Sequence, residues 1–131
     1  ICSGTMGRGI AAHLCNAIVP LTLLDLTTEI SEKARDRIHK SRPPLLIDKK
    51  KINNINVGNI NDDFDTVKEA DWVVEAVVER IDIKHNIYEK IFKNRKLGAI
   101  VSSNTSSIPI KVLSEKLSTE EKKRFLYYTF F

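Results

Sequence analysis

The sequence predicts an α/β protein with a doubly wound parallel sheet whose first strand is truncated. Three observations predict it. Short β-rich runs alternate with amphipathic helical patterns along the chain. Cys2-Ser3-Gly4-Thr5-Met6-Gly7 opens the first helix straight after a strand stub, and the next strand ends in a single acid, Asp25. At 131 residues the chain fits one domain spanning residues 1–131.

The elements follow in order. After Gly7, Met6, Ile10 and Leu14 recur at helical spacing with Ala11 and Ala17 beside them. Leu21–Asp25 reads as a buried strand. Thr28 is positioned to cap the next helix, whose inner stripe is Ile30, Ala34 and Ile38; Pro43-Pro44 ends it. A lysine run, Lys49 to Lys51, precedes a short strand at 56–60. Asn61-Asp62-Asp63 is a turn, and 65–70 suits one or two helical turns. Residues 72–78 form the clearest strand. Asp82 suits the cap of a helix with Ile83, Ile87 and Ile91 inside. A strand at 99–102, a short helix at 108–117 and a last strand at 125–128 complete the order.

Composition excludes several classes. With 42% hydrophobic and 29% charged residues, the chain is neither disordered nor a coiled-coil rod. No stretch approaches the ~20 apolar residues of a membrane span, and no signal-peptide pattern opens the chain. The net charge is +4, yet the densest basic run is three lysines, which reads as a solvated face; no nucleic-acid partner is expected. Cys2 and Cys15 have neither metal spacing nor a disulfide framework, so a reducing, cytoplasmic compartment is the default and no metal is expected.

Chemistry concentrates at the first helix. A dinucleotide fingerprint wants Gly-x-Gly-x-x-Gly between strand and helix. Gly4 and Gly7 supply its second and third glycines and Cys2 replaces the first. Gly4 lets the backbone approach a pyrophosphate at the helix N-terminus, and Gly7 lets the helix pack on the strand. A Cβ at Cys2 is strained if its φ is positive. Asp25, 21 residues after Gly4, stands where a carboxylate takes ribose hydroxyls, and Leu26 after it favours NAD over NADP. Glu75, inside an apolar strand, is either a polar lining residue or a satisfied core acid. Lys84, in a helical first turn, is either kept for an anion or ribose, or solvated beside Asp82.

Gly4–Ala11, Leu23-Leu24-Asp25, the run from Val74 to Glu79 and Ser103-Asn104-Thr105-Ser106-Ser107 resemble the NAD-binding domain of L-3-hydroxyacyl-CoA dehydrogenases. Lys40–Pro44 and Asp71-Trp72 are most similar to the long, multi-domain branch. The resemblance implies a Rossmann-type fold and an NAD-dependent oxidoreductase of fatty-acid β-oxidation acting on an acyl-CoA. It implies that Gly4, Thr5, Met6 and Gly7 hold the pyrophosphate and Asp25 the ribose. Ala76, Glu79, Lys84 and Asn104 are implied to line the cofactor cleft, and Ser106 to act on the substrate oxygen. Ser41 and Lys50 fall where the family meets CoA.

The chain also departs from that pattern. The family's catalytic histidine directly precedes Phe-Phe-Asn-Pro; here Thr129 precedes Phe130-Phe131. A threonine hydroxyl is no base near neutral pH. His13, His39 and His85 fall on helices and are expected to be surface or structural. Ile18 stands where the family has a glycine, a costly choice if the backbone is left-handed. The family's helical C-terminal domain has no counterpart, so the chain is expected to be part of a longer protein and inactive alone. The rival expectation is a non-enzymatic Rossmann domain without ligand.

Overall fold

A computed structural model describes residues 1–128, so Thr129 lies outside the described residues. The chain divides into two compact units, Ile1–Phe64 and Asp65–Phe131.

In the first unit, α1 (Thr5–Asn16), β1 (Leu21–Asp25), α2 (Thr28–Lys40), a 3-10 turn (Lys49–Asn54) and β2 (Ile55–Asn59) follow in sequence. β1 and β2 pair in parallel from Leu21↔Ile55 to Asp25↔Asn59. Ala11, Ala12, Cys15, Leu23, Ala34, Ile38, Leu46 and Ile55 form one buried cluster. Small residues on α1 suit this arrangement, because they bring the helix close to its neighbours. The inner face of α1 is Gly7, Ile10, Ala11, Ala12 and Cys15, rotated from the Met6/Ile10/Leu14 stripe, and Ala17 is exposed.

Local chemistry moved several boundaries. Thr27, not Thr28, caps α2 by accepting from the Ile30 N–H. Ile30 is exposed, and Ser31 faces inward instead, its hydroxyl donating to the Gly58 carbonyl at 2.8 Å. The α2 helix stops at Lys40, ahead of the prolines. The opening stub forms no strand. The Cys2 N–H donates to the Leu24 carbonyl of β1 at 2.7 Å.

The second unit contains β3 (Trp72–Glu75), α3 (Ile81–Asn94), β4 (Ile100–Asn104), α4 (Ile110–Leu113), α5 (Thr119–Lys122) and β5 (Phe125–Tyr128), after a 3-10 turn at Phe64–Lys68. Its three strands pair in parallel in the order β3-β4-β5. The described strands thus make three parallel ladders in two sheets, one sheet in each unit. β3 ends at Glu75 rather than Val78, because the Glu75 side chain takes the Val77 N–H at 2.6 Å and turns the chain. The helix at 108–117 shortens to α4, with Pro109 as its N-cap. α5 went unpredicted, although Ser118 and Glu121 form a capping box around it. No described helix is long and apolar enough to cross a membrane.

Candidate functional site

The first unit places the glycine turn against Asp25. Gly4 is the N-cap of α1 and lends no side chain to it, and the first turn carries no acid. The first helical bond runs from Arg8 N–H to the Gly4 carbonyl, 2.9 Å. The N–H groups of Thr5, Met6 and Gly7 therefore have no intrahelical acceptor, and no acid of the first turn itself offsets the positive end of the helix dipole. A Cβ built on Gly7 would stand 2.0 Å from the Cys2 carbonyl oxygen, so only glycine lets α1 start this close to the stub. On Gly4 it would meet only Cys2 Sγ at 3.7 Å. Thr5 and Gly4 are exposed and Met6 is half-buried, so the loop stays open to an anion.

Cys2 does adopt a left-handed backbone, φ +88°, and Ile18 another, φ +62°. Ile18 closes α1 in a Schellman arrangement: its N–H donates to the Cys15 carbonyl at 3.0 Å, and the Val19 N–H to that of Leu14 at 3.0 Å. Both are positions where a β-carbon costs about 1–2 kcal/mol.

Asp25 ends β1 with its carboxylate turned onto the glycine loop. Oδ2 accepts from the Ser3 N–H at 2.6 Å and the Ser3 hydroxyl at 2.5 Å; Oδ1 accepts from the Leu26 N–H at 2.7 Å. Sequence reasoning missed Ser3 and Arg8. The guanidinium folds back over the loop, 3.5 Å from the Ser3 carbonyl and from Thr5 Oγ1, and places a cation beside the helix start.

The lysine-rich segment is structural at Ser41 and free at Lys50. The Ser41 hydroxyl donates to the Ile38 carbonyl and accepts from the Leu45 N–H, both 2.9 Å. Lys50 is exposed, and its ammonium makes no ion pair among the described residues.

In the second unit the predicted residues gather around a buried polar network. Glu75 is fully buried and satisfied. Its Oε1 accepts from Lys84 Nζ at 2.8 Å, and its Oε2 lies 2.6 Å from both the Tyr88 and Ser103 hydroxyls. That resolves its two readings in favour of the core acid. Lys84 is neither solvated nor beside Asp82, which pairs with Arg80 at 2.6 Å. It is wholly buried and bridges Glu75 to Glu79, 3.1 Å away. The inner face of α3 is Lys84, His85, Ile87, Tyr88 and Ile91, with Ile83 only half-buried. Burial, then the facing Glu75 carboxylate, push the Tyr88 phenol well up.

Glu79 in turn holds the turn after β4. Its Oε1 accepts from the Thr105 hydroxyl, the Ser106 N–H at 3.1 Å and the Ser107 hydroxyl at 3.4 Å. Partial burial pushes its carboxyl up, but the bonds from Thr105, Lys84 and Ser106 outweigh that and hold it below the usual range. The Ser106 side chain is exposed and its hydroxyl makes no bond among the described residues. Asn104 Oδ1 is buried without a partner there, and Ala76 is half-buried just past β3. His85 is structural, its Nε2 lying 2.9 Å from the Val112 carbonyl. Among the described residues no cluster of His, Cys, Asp or Glu is arranged to hold a metal.

A Rickettsia felis protein named for a fatty acid oxidation complex trifunctional enzyme is 39% identical over 98% of the chain, and the match covers 19% of its length. A Deinococcus radiodurans protein named for a 3-hydroxyacyl-CoA dehydrogenase is 38% identical over 98% of the chain and 39% of its own. The crystal structure of 3-hydroxybutyryl-CoA dehydrogenase from Escherichia coli K12 superposes with a TM-score of 0.84 at 25% identity, covering 99% of this chain and 28% of that one. The chain thus spans well under half the length of these relatives. The family described as 3-hydroxyacyl-CoA dehydrogenase, NAD binding domain, matches residues 1–131, and the chain belongs to it.

Proposed function

We propose that the chain binds NAD and forms the cofactor-binding part of a protein that oxidises L-3-hydroxyacyl-CoA to 3-ketoacyl-CoA in fatty-acid β-oxidation. The observation that carries it is the meeting of an open, acid-free helix start at Gly4–Gly7 with the Asp25 carboxylate, joined through Ser3. Backbone N–H groups of Thr5, Met6 and Gly7 meet the pyrophosphate, and Asp25 takes the adenosine ribose. Bound NAD⁺ supplies the hydride acceptor.

The remaining residues take parts fitted to their surroundings. Glu79 holds the 105–107 turn so that the Ser106 hydroxyl is left for the substrate oxygen. Lys84, with its ammonium already engaged by two carboxylates, serves the cofactor cleft through Glu79. Asn104, whose Oδ1 lacks a partner, and Ala76 line that cleft. Lys50 offers a cation to the CoA phosphates, and Ser41 precedes it by nine residues in the chain. The two free cysteines suit a cytoplasmic, reducing setting. With Thr129 in the place of the base, the chain alone does not turn over substrate.

Titration of the purified chain with NADH, followed by its fluorescence, tests the reading. Saturable binding that Asp25→Ala weakens by roughly tenfold, the scale of one bond to a charged acceptor, is expected. The positive φ values of Cys2 and Ile18 favour a second reading, a domain that keeps the fold without a ligand; a flat titration selects it. Reduction of acetoacetyl-CoA by this chain would overturn the inactive half.

A further inference from the structure

We propose that the Ser3 hydroxyl is a built-in competitor for the ribose acceptor on Asp25 and sets how tightly the chain takes a dinucleotide. The inference deepens the cofactor reading and rests on it.

A carboxylate offers four lone-pair directions. Three are filled from within the chain: Ser3 N–H at 2.6 Å and Ser3 O–H at 2.5 Å on Oδ2, and Leu26 N–H at 2.7 Å on Oδ1. One remains, whereas the vicinal diol of a ribose brings two donors. The two backbone donors cannot withdraw. Residue 3 is anchored by the Cys2–Leu24 bond, and Leu26 follows directly on β1. The hydroxyl can, by rotation about one side-chain bond. Ser3 is 4% exposed and its hydroxyl donates to no other group among the described residues. Ribose must therefore either bind through one hydroxyl or displace a charge-assisted hydrogen bond, whose loss counts against affinity.

Alanine at position 3 removes the competitor and keeps both backbone donors and the charge of the site. NADH titrations of the whole chain, at fixed salt, compare the unaltered protein with Ser3→Ala, Ser3→Thr, Asp25→Ala and Ser3→Ala/Asp25→Ala. Ser3→Ala is expected to lower Kd by about tenfold. Ser3→Thr, which retains the hydroxyl, is expected to stay near the original value, and the gain is expected to vanish in the Asp25→Ala background. A thermal melt of each variant checks that the fold is retained. An unchanged or raised Kd for Ser3→Ala, with Asp25→Ala still weakening binding, overturns the competitor while leaving the cofactor reading standing. An Asp25→Ala chain that binds as before overturns the cofactor reading, and the competitor falls with it.

Discussion

Lys84 Nζ sits 2.8 Å from Glu75 Oε1, and both side chains are fully excluded from solvent. The same ammonium reaches Glu79 and so ties the end of β3 to the turn that follows β4. A buried pair of this kind adds little net stability over apolar residues, but breaking it is costly because one charge is left unpaired.

Removing Lys84 strands two carboxylates, whereas removing the charge of Glu75 leaves Lys84 still paired with Glu79. Lys84→Met is therefore expected to lose the more, about 3–5 kcal/mol, with Glu75→Gln losing less. The double variant loses less than the sum. Urea unfolding of the three variants checks this, and additive losses would mean the pair is not coupled.

Glu79 carries the acid-side dependence. Its folded pKa is depressed, so its contribution to stability is complete above the ordinary glutamate value of about 4.3 and fades as pH falls below it. The stability gap between the unaltered chain and Glu79→Gln is expected to narrow between neutral pH and pH ~3 as the carboxylate protonates. A gap constant across that range would show that the charge of Glu79 does not matter.

Tyr88 carries the alkaline side. Its folded pKa is raised, so the neutral phenol stabilises the fold fully below the ordinary tyrosine value of about 10, and that contribution is lost as pH rises beyond it. Tyr88 is expected to ionise only as the fold is lost, so the part of the tyrosinate absorbance rise that Tyr88→Phe removes should coincide with alkaline unfolding.

Two backbone strains are open to relief. Cys2→Gly and Ile18→Gly each replace a β-carbon at positive φ and are expected to raise stability by about 1 kcal/mol, less the entropy glycine adds to the unfolded chain. Gly7→Ala is the opposite case, since its methyl would meet the Cys2 carbonyl at 2.0 Å. It is expected to cost at least about 1–3 kcal/mol, read from melting temperatures.

The sequence by itself determined most of the element order, though not α5 or the missing opening strand, together with the glycine turn, Asp25 at the end of its strand and the family. These are local patterns: periodicity, caps and fixed spacings depend on neighbours a few residues apart. It also carries weaker signals. Ser118 and Glu121 spell a capping box, and Lys84 shares the i, i+3, i+4, i+7 stripe of Ile87, Tyr88 and Ile91, a position that points inward. Only the tertiary structure decided the rest. Whether Glu75 was a lining residue or a core acid depended on Lys84, Tyr88 and Ser103 arriving from other elements, and burial makes a charge acceptable only where such partners converge. The Ser3 hold on Asp25 was equally out of reach, because it joins residues 22 apart through a carboxylate whose direction is set by the path of the loop.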